Sequence, residues 1–378
     1  MLPALKPDGL SLADVLESCL ESIAGRSNRL ALPRVDRAVV LLIDGLGADA
    51  LKARSGHART LAGALTKSAV IESGFPTTTA AAIATLTTGA RPGQHGLVGY
   101  TVLDAANDRI VKQLSDWDDR LDPFAWQPVP TLFERAVAEG FDAVAIGPER
   151  YRDTGFSHAV LRGARYVAAA SIAERMTGAA EFLRQPGPPG LAYVYVPELD
   201  SAAHAHGIES ADWVTALETT DAAVRDLVAG LRPRSGVLLT ADHGILDIPQ
   251  HAHVHFDTIP NLTDGVRFVA GEPRCLQLHF EPDATPAQRE RTVAAWRASE
   301  SDRAWVATRD EAIAANWFGP VRADVLPRIG DLLVAARKNI AYYDGRAGTH
   351  GHSMIGQHGS WSSAELRVPL LRFGAYGS

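Results

Sequence analysis

Short runs of Val, Ile and Leu recur along the chain between segments in which apolar residues return every three or four positions. Runs without polar interruption read as strands covered on both faces, and the helical periods between them read as the covers. The pattern therefore predicts an α/β fold with a mainly parallel central sheet flanked by helices on both faces. Strands are expected at Ala38–Ile43, Ala69–Glu72, Ala143–Ile146, Leu191–Val196 and Gly236–Thr240. Helices are expected at Thr79–Thr88, Thr131–Glu139, Ser171–Arg184 and Ser210–Leu231. The breakers QPGPPG and RPRSG stand just before the strands at Leu191 and Gly236, where a crossover must turn back into the sheet.

After Ile248 the rhythm changes. Residues 265–345 mix strands at Val266–Val269, Cys275–Phe280 and Asp331–Ala335 with helices at 286–299 and 309–316, before a last strand at Val368–Phe373. One domain spanning residues 1–378 is expected, with a smaller subdomain inserted at about 249–345.

Composition narrows the function. A 378-residue chain that is 46% hydrophobic buries a large core, which excludes a disordered protein. A net charge of −7 gives no electrostatic reason to expect a nucleic-acid surface, although it leaves room for local basic patches. Cys19 and Cys275 have no CxxC spacing, so a bound metal falls to His and carboxylates. The N-terminal stretch MLPALKPDGLSLADVLESCL lacks a basic start and an unbroken apolar run; with neither signal peptide nor membrane span indicated, a cytoplasmic location is the default expectation.

Candidate chemistry sits directly after the expected strands, where ligands collect in an open α/β sheet. Asp44 ends VVLLID, with Gly45 and Gly47 behind it. Asp200 and His204 in ELDSAAHAHG are four apart, which puts two ligands on one face of a helical turn. Asp242 and His243 are adjacent at the end of VLLTADHG, and His358 lies in the Gly-flanked turn GQHGSW. In GFPTTTAAAIATLTTG a threonine cluster opens an Ala-rich helix. A hydroxyl there meets free N–H groups that favour an incoming phosphate. Each segment alone has an ordinary reading as a cap, turn former or hydrogen-bonded core pair. Together, three Asp, three His and one Thr make a donor set for two cations sharing a phosphate.

The ordered motifs IDGLG, FPTTTAAAIATLTTG, RPGQHG, ELDSAAHAHG, TADHG and GQHGSW resemble the nucleotide pyrophosphatase/phosphodiesterase branch of the alkaline phosphatase superfamily over about residues 38–373. The resemblance implies an alkaline phosphatase-like fold and a two-zinc phosphodiesterase that works through a phosphothreonine on Thr79. It also implies a partition of the ligands: Asp200, His204 and His358 around one zinc, and Asp44, Asp242 and His243 around the other, which Thr79 contacts. The ligand types alone equally admit manganese or mixed metals. The implied partner is a small phosphodiester or nucleotide.

Several positions depart from the family pattern. Ala80-Ala81-Ala82-Ile83 follows the nucleophile where better-known phosphodiesterases read F-P-N-H, and Tyr100 stands where they carry an oxyanion-binding Asn. No Arg follows Thr79; alkaline phosphatases use such an Arg to clamp a dianionic monoester. Diesters and pyrophosphates are therefore favoured, with a phosphomonoesterase or phosphonate hydrolase as the alternative and a non-catalytic binding protein further off. Neither cysteine has the Cys-x-Pro-x-Arg context of a sulfatase.

Of the remaining histidines, His251, His253 and His255 alternate and would share one face of a strand. His95 is expected to brace a turn. His206, His350 and His352 are candidate neighbours of the site, and His350 in GTHG competes with His358. Specificity is expected in the 97–130 loop and the 249–345 insertion, whose WDDRLDPFAW and NWFG aromatics read as ordinary packing or as base-stacking groups.

Overall fold

The computed structural model describes residues 1–6, 8–347 and 353–377. Its central sheet has six strands in the order Leu371–Gly374, Ser235–Thr240, Arg37–Ile43, Gly190–Val196, Asp142–Gly147 and Arg165–Ala168. All pair in parallel except Leu371–Gly374, which runs antiparallel to Ser235–Thr240. Every residue of Arg37–Ile43 is buried. A strand whose alternate side chains face opposite ways is buried throughout only when both faces are covered, which accounts for its uninterrupted apolar run.

Helices supply the cover and begin where the sequence caps them. Thr131 with Glu134 and Ser171 with Glu174 form capping boxes ahead of Leu132–Ala138 and Ile172–Arg184, each satisfying two otherwise free backbone donors. Ser210 caps Ala211–Ala229. Helix Ala13–Ala24, which the sequence pattern does not flag, packs on the sheet and on helix Thr79–Thr88.

A second, antiparallel sheet takes Ala304–Thr308, Leu332–Ala336, Cys275–Phe280, Val266–Glu272, Thr101–Asp104 and Arg109–Lys112 in that order. The hairpin at 101–112 thus joins strands more than 150 residues further on, through the pairing of Thr101 with Gly271. Two expected strands take different partners from those the pattern suggests. Val70–Glu72 lies outside the central sheet and pairs with Arg367–Pro369. The last strand divides around Leu370, its second part returning to the central sheet as Leu371–Gly374.

A fully buried ion pair ties the antiparallel sheet to the C-terminal segment. Arg274 Nε and Nη2 donate to the two carboxylate oxygens of Glu365 at 2.7 and 2.8 Å, and Nη1 donates to the carbonyls of Lys338 and Ile340. Glu365 also accepts from the backbone N–H of Ser360, two residues beyond His358. Replacing Arg274 by Met would strand a buried carboxylate, so a loss of about 3–5 kcal/mol is expected in chemical denaturation. A loss below about 1 kcal/mol would show that the pair is dispensable.

Candidate metal centre

The register of the central sheet assembles the site. Ile43 lies opposite Val196, and Leu42 opposite both Tyr195 and Thr240, so three strands end at one level. The segments that follow them, carrying Asp44, Asp200 with His204, and Asp242 with His243, emerge together at that edge. Gly45 closes the first turn at φ 73°, and a Cβ there would come within 3.2 Å of Asp200. Glycine is required at such a position because the conformation is left-handed and the approach is tight. His358 arrives from the short strand Gly356–Gln357, paired with Leu246–Asp247.

These residues form two groups in which the ligand atoms lie within 4.8 Å of one another: Asp44, Asp242 and His243, all buried, and Asp200, His204 and His358, half-buried. The histidine rings join them. His243 and His358 stack with centroids 3.6 Å apart, and His204 lies 5.2 Å from His358. Thr79, first residue of the wholly buried helix Thr79–Thr88, places its Oγ1 3.2 Å from His243 Nε2.

Hydrogen bonds outside the two groups aim the donor atoms inward. Nδ1 of His204 faces the carbonyl of Gly356 at 2.8 Å, that of His358 the carbonyl of Thr77 at 2.8 Å, and that of His243 the carbonyl of Gly244 at 3.2 Å. A carbonyl only accepts, so each proton sits on Nδ1 and each Nε2 keeps a lone pair for a cation. Asp242 Oδ1 accepts from the backbone N–H groups of Gly45 and His243, and Asp44 Oδ2 accepts from the Tyr195 hydroxyl. The opposite oxygens, Asp44 Oδ1 and Asp242 Oδ2, are buried without a hydrogen-bond partner, as is Asp200 Oδ1.

Three buried carboxylate oxygens left unpaired are costly unless a cation meets them. Titration behaviour agrees. Burial, reinforced by Asp242 and Asp200, pushes Asp44 well above the usual carboxylate range. Burial raises Asp200 to about 6 despite the opposing pull of His204, and it raises Asp242 against its hydrogen bonds. His243 is pulled down to about 3, chiefly by burial. A neutral His243 beside carboxylates that resist ionisation fits a cation-binding centre, whose positive charge would reverse the carboxylate shifts.

Residues 38–361 match the type I phosphodiesterase/nucleotide pyrophosphatase family. The chain belongs to that family. No curated protein matches it in sequence. Murine ectonucleotide pyrophosphatase/phosphodiesterase 5 is similar in structure, with a TM-score of 0.69 at 16% identity over 89% of this chain and 88% of that one. An inactive threonine-to-alanine variant of the murine protein in complex with AMP has a TM-score of 0.68 at 16% identity, over 89% and 88% of the two chains. Phosphonoacetate hydrolase from Sinorhizobium meliloti 1021, in complex with phosphonoformate, has a TM-score of 0.67 at 15% identity over 90% and 91%. This type I phosphodiesterase-family chain thus has an alkaline phosphatase-like fold, and its matched segment contains all seven residues singled out above.

Among the described residues, the other candidates join neither group. His95 is fully buried, its Nε2 3.0 Å from Thr85 Oγ1 while its Nδ1 accepts from Leu97 N–H, so it does brace the turn. His251 lies in a 3₁₀ turn, and only His253 and His255 share a strand. His206 is exposed and pairs with Asp212 at 3.5 Å. His350 and His352 lie outside the described residues. Trp317 and Phe318 of NWFG are buried against Phe75, which makes them packing groups. Tyr100 is half-buried, its backbone carbonyl bonded to Gln113 N–H.

Sequence reasoning missed the aromatic wall beside Thr79. A cavity of about 100 Å³ is lined by Thr79, Ile83, Tyr151, Tyr166, Tyr193 and Tyr195 among others. The alternation of Tyr193 and Tyr195 in LAYVYV was the available signal, since a strand returns to one face every second residue.

Proposed function

We propose that the protein hydrolyses phosphodiester or nucleotide pyrophosphate bonds at a two-zinc centre, with Thr79 as nucleophile. The observation that carries this reading is the position of Thr79 Oγ1, 3.2 Å from His243 Nε2 at the first turn of a helix and beside the buried Asp44–Asp242–His243 group. Asp44, Asp242 and His243 would hold one cation, and Asp200, His204 and His358 the other. Bound there, the two cations would supply the Lewis acidity that activates a hydroxyl and offsets phosphoryl charge.

Thr79 Oγ then loses its proton to solvent water and attacks phosphorus, the ester bond to the leaving group breaks, and the leaving alcohol or phosphate takes up a proton from water. The free N–H groups at the start of helix Thr79–Thr88 face the phosphoryl oxygens. Water cleaves the resulting phosphothreonine, which restores the hydroxyl and retains configuration at phosphorus after two displacements. Family membership and the absence of Arg after Thr79 favour a substrate of low charge, and the AMP bound by the murine relative points to nucleotides.

The test is a comparison of rates for zinc-loaded protein on bis(p-nitrophenyl) phosphate, p-nitrophenyl phosphate and phosphonoacetate. Fastest turnover of the diester is expected. A faster monoester or phosphonate would replace the reading with a phosphatase or phosphonate hydrolase, and binding of two metals without turnover of any phosphoester would make it a non-catalytic protein.

A further inference from the structure

The strands Arg37–Ile43 and Gly190–Val196 run parallel with Leu42 opposite Tyr195. Two residues beyond Leu42 the chain returns to the same face, so Asp44 emerges diagonally above Tyr195. The Tyr195 hydroxyl donates to Asp44 Oδ2. The other oxygen, Oδ1, is buried without a hydrogen-bond partner and lies 3.6 Å from His243 Nε2. An aspartate turns about two single bonds, and a donor on one oxygen fixes the plane in which the other is presented.

The tyrosine is itself held. Its ring meets Tyr151 edge-on at 5.7 Å and lies parallel to Tyr193 at 6.4 Å, an arrangement that restricts rotation. Asp242 has two backbone N–H donors on its outer oxygen, whereas Asp44 has this phenol.

We propose that Tyr195 is a positioning residue for the buried cation site: its hydroxyl sets the rotation of Asp44, so that Oδ1 is presented together with Asp242 and His243. The inference rests on the reading of those three residues as a cation site. Tyr195→Phe keeps the ring in its stack and the wall of the cavity beside Thr79, and it removes only the donor. Loss of such an outer hydrogen bond weakens metal binding by about 10–100-fold.

Metal-free protein titrated with zinc against a chelating indicator reads each site separately, and cobalt absorption reports ligand geometry. The expected result is two sites in the wild type and, in Tyr195→Phe, one unchanged site and one weakened about 10–100-fold with a shifted cobalt band. In an Asp44→Asn background the same substitution should add nothing, because its target is already gone. Unaltered affinities and spectrum would overturn the proposal, as would equal weakening of both sites, or a full further loss in the Asp44→Asn background. A wild type that binds no metal would overturn it together with the proposed function, whereas the other outcomes remove the positioning role alone.

Discussion

Thr79→Ala is expected to reduce turnover by about 10⁴-fold or more, the scale on which enzymes lose activity with their nucleophile, while the protein keeps two bound metals. The separation of the two effects follows from the geometry. Thr79 Oγ1 lies 3.2 Å from His243 Nε2, but each group of three ligands comes together without it. Alanine is also a good residue for the first turn of this helix, where Thr78 makes no side-chain cap, so stability should change little. Elemental analysis of the purified variant, alongside steady-state rates on an aryl diester, checks both halves. A variant within tenfold of wild-type turnover would remove Thr79 from the chemistry. A phosphothreonine trapped at Thr79 in a quenched reaction of the wild type would establish its role independently.

Much of the centre is legible in the sequence because parallel strands of similar length end at one level. Asp44, Asp200 and Asp242 each follow an apolar run, and once Arg37 is set opposite Gly190 and Ser235 the loops must converge. Thr79 is less legible, because a hydroxyl at the start of a helix is commonly just a cap, and only the fold puts its Oγ1 3.2 Å from His243 Nε2. Periodicity carries no information about pairing between distant segments, and the misses lie there. Val70–Glu72 reads as one more sheet strand until it meets Arg367–Pro369, and the short, polar hairpin 101–112 shows its role only against Gly271. Arg165–Ala168 is an edge strand with no fully buried residue, so it lacks the apolar run that marks its neighbours. Tyr195 looks like ordinary core in LAYVYV, and its hydroxyl acquires a partner only when the strand beside it is known.

Removing Asp242 as a ligand should cost both metal and activity, and the choice of replacement decides whether the result can be read. Asp242→Ala would leave the N–H groups of Gly45 and His243 without their acceptor, at about 1–3 kcal/mol for each buried donor, mixing a folding defect with metal loss. Asp242→Asn keeps Oδ1 for those donors and puts an amide NH₂ where the unpaired Oδ2 stands, a group with no lone pair for a cation. The expected outcome is a folded protein with close to one metal per chain and activity down by about 10³-fold or more, since two-metal phosphoryl transfer needs both positive centres. His358→Ala should lose the other metal. The wild type provides a matching check through pH. Without metal, burial raises Asp200 to about 6 and also raises Asp44 and Asp242, while His243 and His358 are already neutral because burial depresses them. Metal binding therefore releases protons from carboxylates and takes none from His243 or His358, so affinity should fall as pH drops through about 6. Zinc affinity measured from pH 5 to 8 tests this sign. An affinity that held constant or rose on acidification would mean that the carboxylates are not the groups that meet the cation, and retention of two metals by Asp242→Asn would say the same of Asp242 alone.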